Sequence, residues 1–449
     1  MKKFEKAYII TVDMGYGHQR ATYPLKDIAT VPDSIDLEDY KIINCNNYPG
    51  IPKKDEKKWI SGQNWYERIS RMKHLPFLGN YIFGVMDYFQ RILEFYPARD
   101  LSKPTIQLKT EYAKIKKGLG RDLIEKLNKN PLPIITSFFT AAYFAEENKY
   151  KGDIYLICCD ADISRAWAPL DPKNSKIKYL VPNRRVSERL KLYGVESDKI
   201  VITGFPLPKE CIGKDLKILK ENLLRRLTHL DLDGRYRKKY QHTLEEFFGK
   251  KISLAKNGHE PIHIMFAVGG AGAQRELGIE IVKSLKKEII NGRIEITLVA
   301  GVKKDVSRYY QEELKNLGLL DKKNIAIIYS ESKKDYFRKF NKTLNKADIL
   351  WTKPSELSFY VGLGIPIIMA PPIGAQERFN KKWLNAVGAG VSQNDPKYTN
   401  EWLFDWLKSG WLAQAAMEGV FDAPRNGVYH IEKNVLECRK SQIEDMHLL

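Results

Sequence analysis

Cysteine is scarce in this chain: five among 449 residues, at positions 45, 158, 159, 211 and 438, an odd number with no Cys-x-x-Cys pair. Neither a disulfide framework nor a zinc knuckle follows from that pattern, and Cys158 and Cys159, inside the apolar run IYLICC, read as small core residues. No apolar run approaches the roughly 18 residues of a membrane-crossing helix. The opening MKKFEKAYIITVDMG has neither the h-region nor the cleavage site of a signal peptide, which predicts a cytoplasmic protein. Acidic residues are outnumbered 55 to 74, for a net charge of +19. That excess calls for an anionic neighbour: lipid headgroups, nucleic acid or a phosphorylated substrate. No zinc-finger spacing, RNP-like aromatic motif or long Lys/Arg block accompanies it, so nucleic acid is not expected as a partner.

The chain is too long for one ordinary core, and 43% hydrophobic content makes it globular, so two to three domains are expected. AYIITV, from Ala7 to Val12, reads as a strand buried on both faces. DMGYGHQRAT follows, placing Gly15, Gly17 and His18 in a turn before a helix. Strand, glycine turn and helix make the layout at which α/β sheets bind ligands. The glycines admit backbone N–H groups close to an anion or sugar. The imidazole serves no turn geometry, so His18 is a candidate for chemistry.

The same layout returns in PIHIMFAVGGAGAQRELGIEIVKSL, with Gly269, Gly270 and Gly272 after the strand. Neither loop is a dinucleotide fingerprint: Gly15-x-Gly17 and Gly270-x-Gly272 are each followed by Arg where the third glycine belongs, and no G-x-x-x-x-G-K-[ST] occurs. A helix N-terminus with exposed amides, able to hold a diphosphate, is what remains. Strands and helices alternate onward from each loop, predicting two parallel sheets covered on both faces. A basic, aromatic and helical insertion spans about 53–120, and its rings, Phe77, Tyr81 and Phe83 among them, suit either a bilayer contact or packing against the sheet. The expected domains are 1–208, 209–395 and a helical tail over 396–449.

The stretch WTKPSELSFYVGLGIPIIMAPPIGAQERFN sets Lys353, Ser355, Glu356, Gln376, Glu377 and Asn380 at the ends of two apolar strands. A carboxylate accepts from sugar hydroxyls and a neighbouring amide both donates and accepts, so this pattern suits a sugar. Helix capping by Ser355 and Gln376 is the alternative.

These motifs resemble a GT-B glycosyltransferase of the group that contains monogalactosyldiacylglycerol synthases, diacylglycerol glucosyltransferases and the peptidoglycan N-acetylglucosaminyltransferase. GYGHQRA is similar to that group's G-x-G-H-x-x-A loop. CCDADISRAW and the downstream YLVPNRRVSERLKLYGV and TGFPLP resemble its acceptor-domain segment, VGGAGA its donor-diphosphate loop, and GLGIPIIMAPPIGAQERFN its donor motif. The resemblance implies two facing Rossmann-like domains. It implies His18 and Asp160 at the acceptor, either of them as the base, and Gly269, Gly270, Gly272, Gln376, Glu377 and Asn380 at a UDP-sugar. The implied reaction is an inverting, metal-independent transfer of a hexose to an acceptor hydroxyl, with a membrane lipid as one acceptor candidate and peripheral contact with an anionic membrane. No metal or resident cofactor is expected beyond the UDP-sugar co-substrate, and no Asp-x-Asp pair stands beside the donor loops.

The chain departs from the group in one place: KPSELSFYVGLG puts Phe359 where the group's ribose-binding Glu is expected, with Glu356 one helical turn earlier. Two other classes therefore stay open, an epimerase or hydrolase of nucleotide sugars with this fold and a non-catalytic sugar-nucleotide or membrane-binding protein. In the tail, Trp402 and Trp406 stand four apart on an amphipathic pattern, which suits a return to the first domain or a membrane contact.

Overall fold

A computed structural model describes residues 4–37, 40–60, 91–254, 260–267, 272 and 274–437. Its first sheet is built from β1 (Tyr8–Thr11), β2 (Ile42–Asn44), β3 (Ile134–Thr136), β4 (Ile154–Ile157), β5 (Lys178–Val181) and β6 (Ile200–Ile202), in the spatial order β2-β1-β3-β4-β5-β6. All pairs are parallel. Parallel strands need crossovers that cover both faces, which is why YIIT in β1 and IYLI in β4 are buried at every position. The chain leaves β1 toward β2 on one side and returns to β3 on the other. That reversal falls at the carboxyl ends of β1 and β3, the place where sheets of this kind take ligands.

The second sheet has the same form. It consists of β7 (Ile262–Ala267), β8 (Ile294–Gly301), β9 (Ile325–Tyr329), β10 (Ile349–Thr352), β11 (Ile367–Met369) and β12 (Gly390–Ser392), ordered β12-β11-β10-β7-β8-β9 and parallel throughout. Its reversal falls between β7 and β10. The helix Lys217–Leu230 is anchored here by Arg226, whose guanidinium is 1% exposed and donates to the carbonyls of Leu344, Ala347 and Leu363 at 2.7–2.9 Å. One cation thus terminates the helix Lys333–Lys346 and the 3-10 run Glu356–Leu363 by satisfying their last carbonyls. Burial lowers its pKa to about 10, which leaves it charged near neutrality.

The two Rossmann-like α/β units expected from the sequence are thus present, and helices follow the last strand. The chain divides into one unit of 1–207, 374–380 and 426–449 and another of 208–373 and 381–425. The tail is shared: the helices Thr399–Ser409 and Trp411–Asp422 belong to the second unit, while Gly427–Leu436 belongs to the first. Trp402 and Trp406 are only 8% and 9% exposed. Their rings lie 4.4 Å apart, and Trp402 packs 5.4 Å from Trp351 of β10. This corrects both readings of those two residues, the membrane contact and the return to the first domain: they stand i, i+4 on one face of a helix of the second unit, and that face covers the second sheet.

Within the insertion, 53–60 and Ile106–Lys116 are helical, whereas 91–105 are not. Phe77, Tyr81, Phe83, Cys438, Gly269 and Gly270 lie outside the described residues. Among those described, no helix is long and apolar enough to cross a membrane.

Candidate functional site

In the first unit the loops after β1, β3 and β4, three adjacent parallel strands, bring together residues far apart in sequence. His18, on the helix Gly17–Thr22, directs Nδ1 to the main-chain oxygen of Ser137, 2.6 Å away. Ser137 returns a bond from its hydroxyl to the carbonyl of His18 at 2.8 Å. A carbonyl can only accept, so the neutral ring carries its proton on Nδ1 and its lone pair on Nε2. The loop is held from the other side by Asn46, whose Oδ1 accepts the Asp13 N–H at 2.8 Å. Gly15 is an exposed turn residue and Gly17 opens the helix.

The imidazole sits against an apolar wall. Phe138 meets it edge-on at 5.1 Å and Trp167 lies 6.3 Å away, with Phe139 and Trp167 themselves 5.4 Å apart. Cys159, buried as expected of a core residue, places Sγ 4.0 Å from His18 Nδ1.

Asp160, half-buried in the loop after β4, accepts from Asn380 Nδ2 at 2.9 Å. The structure therefore brings together Asn380, which the resemblance assigns to the donor, and Asp160, which it assigns to the acceptor; both lie in the first unit. Gln376 and Glu377 belong to the same short segment, in the first turn of the helix Ala375–Val387.

Asp162 was not legible as a site residue. Its carboxylate is 1% exposed and takes a two-pronged contact from Arg189, 2.9 Å from Nε to Oδ1 and 2.8 Å from Nη2 to Oδ2, and a third from Arg185 Nε at 3.1 Å. Such a pair, two residues past Asp160, makes the loop rigid. A faint signal exists: Arg185 and Arg189 stand four apart on one helix.

The second unit assembles its own loops at its reversal point. Thr352 Oγ1 donates to the Ala267 carbonyl at 2.9 Å, tying the carboxyl end of β10 to that of β7. Gly272 has φ +67°, a conformation that suits glycine, and the helix Arg275–Ser284 follows. The close helix–strand approach that a third fingerprint glycine would supply comes instead from Gly278, where a Cβ would stand 2.9 Å from the Phe266 ring of β7. Lys353, Ser355 and Glu356 follow β10 and are half-buried. Ser355 Oγ accepts from the Leu357 N–H, so it caps the 3-10 run Glu356–Leu363. Phe359 is 1% exposed, its ring 5.0 Å from that of Trp383.

Among the described residues no three His, Cys, Asp or Glu side chains are grouped to hold a metal ion. What the first unit's arrangement can do is remove a proton at His18 Nε2, or at Asp160, beside an apolar surface. What the second unit offers is a glycine turn and a helix start.

Residues 230–324 match the model of a family described only as a domain of unknown function, DUF6938. No curated protein matches the chain. Among solved structures it is similar to the S. aureus MnaA–UDP co-structure, at 13% identity over 76% of this chain and 84% of that one, with a TM-score of 0.45. It is similar also to UDP-GlcNAc 2-epimerase from Neisseria meningitidis bound to UDP-GlcNAc, at 14% identity, 71% and 82% coverage and a TM-score of 0.40. A glycosyltransferase from Rickettsia africae ESF-5 aligns at 15% identity, covering 83% of this chain and 95% of that one, with a TM-score of 0.36.

Proposed function

We propose that this chain transfers a hexose from a UDP-sugar to an acceptor hydroxyl, with inversion and without a metal. The observation that carries the reading is the His18 imidazole at the β1–β3 reversal point, its Nδ1 committed to the Ser137 carbonyl and its basic lone pair therefore on Nε2. Nε2 takes the proton of the acceptor hydroxyl as that oxygen bonds to the anomeric carbon. The bond from that carbon to the β-phosphate oxygen breaks, and UDP leaves with the electron pair. Neutral imidazole is matched to this step near pH 7. Asp160 is the rival base or orients the acceptor. Gly269, Gly270 and Gly272 would present amides to the diphosphate, Lys353 would offset its charge, and Glu356, Gln376 and Glu377 would bind hydroxyls of ribose or sugar, while Ser355 caps the run that carries Glu356. Phe139, half-buried beside Trp167, offers apolar surface to an acceptor with an apolar portion, such as a membrane lipid.

The non-catalytic reading has one observation on its side. Phe359, at the position of the implied ribose carboxylate, is buried against Trp383 and cannot bind a hydroxyl.

The deciding experiment incubates the chain with a panel of UDP-hexoses, alone and with lipid and soluble acceptors, and follows UDP release and sugar transfer. Transfer that needs an acceptor supports the proposal. Turnover of the nucleotide sugar without any acceptor makes it an epimerase or hydrolase. Binding in calorimetry with no turnover makes it a binding protein. Gln376→Ala and Glu377→Ala should each weaken UDP-sugar binding, and unchanged affinity in both would remove them from the donor site.

A further inference from the structure

Asn380 is 0% exposed, and both ends of its carboxamide meet the loop after β4. Nδ2 donates to Asp160 Oδ1 at 2.9 Å, and Oδ1 accepts the Ala161 N–H at 2.7 Å. The carbonyl of Ala161 accepts from Asn183 Nδ2 at 3.1 Å. Asn183 in turn caps the helix Arg184–Leu192, its Oδ1 accepting the Val186 N–H at 2.9 Å. Asp162 is locked by Arg189. Every residue of the Asp160–Asp162 loop is thus gripped by a side chain from elsewhere, and the grip on Asp160 comes 220 residues later in the chain.

An amide suits this place where other groups would fail. It donates to a carboxylate and accepts from an N–H at once. A carboxylate at 380 would repel Asp160, and a lysine would pair with Asp160 and neutralise it while leaving the Ala161 N–H buried without an acceptor. Asn380 also stands three and four residues beyond Glu377 and Gln376 on one helix, the spacing of neighbours on a helical face.

We propose that Asn380 is a positioning residue: it holds Asp160 in one orientation and couples the acceptor-side loop to the helix start that carries Gln376 and Glu377. The coupling rests on the transferase reading; the clamp itself does not. A donor seated on Gln376 and Glu377 is thereby registered against Asp160 through a single helical turn.

The test compares the full-length wild type with Asn380→Ala and Asn380→Asp in two measurements. Amide hydrogen exchange at Ala161 reads the clamp directly. Asn380→Ala is expected to speed it about tenfold, the size of one lost hydrogen bond, whereas Asn380→Asp keeps an acceptor oxygen and keeps protection. Calorimetry with UDP-glucose, UDP-galactose and UDP-GlcNAc, together with kinetics on whichever is turned over, reads the coupling. Donor affinity should stay within about threefold of wild type while kcat falls about 100-fold in both variants, as a misaimed group requires. Loss of donor affinity with kcat preserved at saturation would make Asn380 a donor contact and overturn the proposal. Unchanged Ala161 exchange in Asn380→Ala would overturn the clamp, and that result stands even if the wild type binds no UDP-sugar and the transferase reading has failed. Should Asn380→Ala not fold, Asn380→Ser replaces it: its shorter side chain cannot span Asp160 and Ala161 together, so the same faster exchange is expected and unchanged exchange again overturns the clamp.

Discussion

His18 and Ser137, 119 residues apart, exchange two hydrogen bonds: the imidazole Nδ1 lies 2.6 Å from the Ser137 carbonyl, and the Ser137 hydroxyl donates to the His18 carbonyl at 2.8 Å. The pair ties the turn after β1 to the turn after β3 and leaves the ring one tautomer in which to be neutral. Asparagine is the substitution that separates these roles, because its amide can still donate to Ser137 while Nε2 is gone. His18→Asn should keep a melting temperature near that of wild type and lose two to four orders of magnitude in turnover, with donor affinity little changed. Normal turnover in His18→Asn together with a dead Asp160→Asn would move the base to Asp160.

The Phe359–Trp383 contact gives a second expectation. Phe359→Ala should cost about 3–5 kcal/mol, the usual loss for a buried phenyl group, seen as a lower urea midpoint. Phe359→Glu, which installs the carboxylate of the resembling group, should destabilise as strongly and not tighten UDP binding, because the site is closed to solvent. Tighter binding in a folded Phe359→Glu protein would reopen the position as a ribose site.

Asp162 and Arg189 form a buried ion pair, and removing one partner strands the other. Asp162→Ala should destabilise the first unit by about 3–5 kcal/mol. The double replacement Asp162→Leu, Arg189→Met should recover part of that loss in denaturation, Arg185 being left without its carboxylate, and leave turnover depressed because the loop carrying Asp160 has lost its anchor. Full activity in the double variant would show that the pair plays no part in holding the site.

In the second unit His263 directs Nε2 to Thr297 Oγ1 at 2.8 Å, and burial draws its pKa below the ordinary histidine value. The unfolded chain therefore binds a proton more readily than the folded one. The stability tied to this group is present above its unfolded pKa of about 6.5 and is lost as pH falls through that value toward the folded pKa. Tryptophan fluorescence in urea should show the midpoint dropping between pH 7.5 and 5.5, and His263→Gln should flatten the drop. An equal drop in both proteins would mean that other groups control it.

The short β-branched runs ending in glycine turns were readable without coordinates: AYIITV contains β1 and PIHIMFAV contains β7, because a strand buried on both faces must be apolar at every position. The site was readable only in part. His18 stood out because no turn needs an imidazole, and Ser355 was already ambiguous between capping and binding; the cap is formed. The partners of the site residues were not readable, since Ser137 lies 119 residues from His18 and Asn380 lies 220 from Asp160. Such pairings are set by strand order, and no local pattern encodes them. Trp402 and Trp406 misled in the opposite sense: a periodic aromatic stripe is the same whether it faces lipid or a sheet.

The chain changes unit after residues 207, 373, 380 and 425, and this bears on how the protein can be engineered. A fragment ending at Leu207 would lack Asn380 and the helix Gly427–Leu436, whose first residue has no room for a side chain against the backbone of Gly204 and Phe205. Exchanging everything after Leu207 for the corresponding part of another protein would import foreign versions of 374–380 and 426–437, so a graft meant to alter donor choice would also rebuild the grip on Asp160. A chimera that respects the fold needs four junctions, with those two short segments kept native.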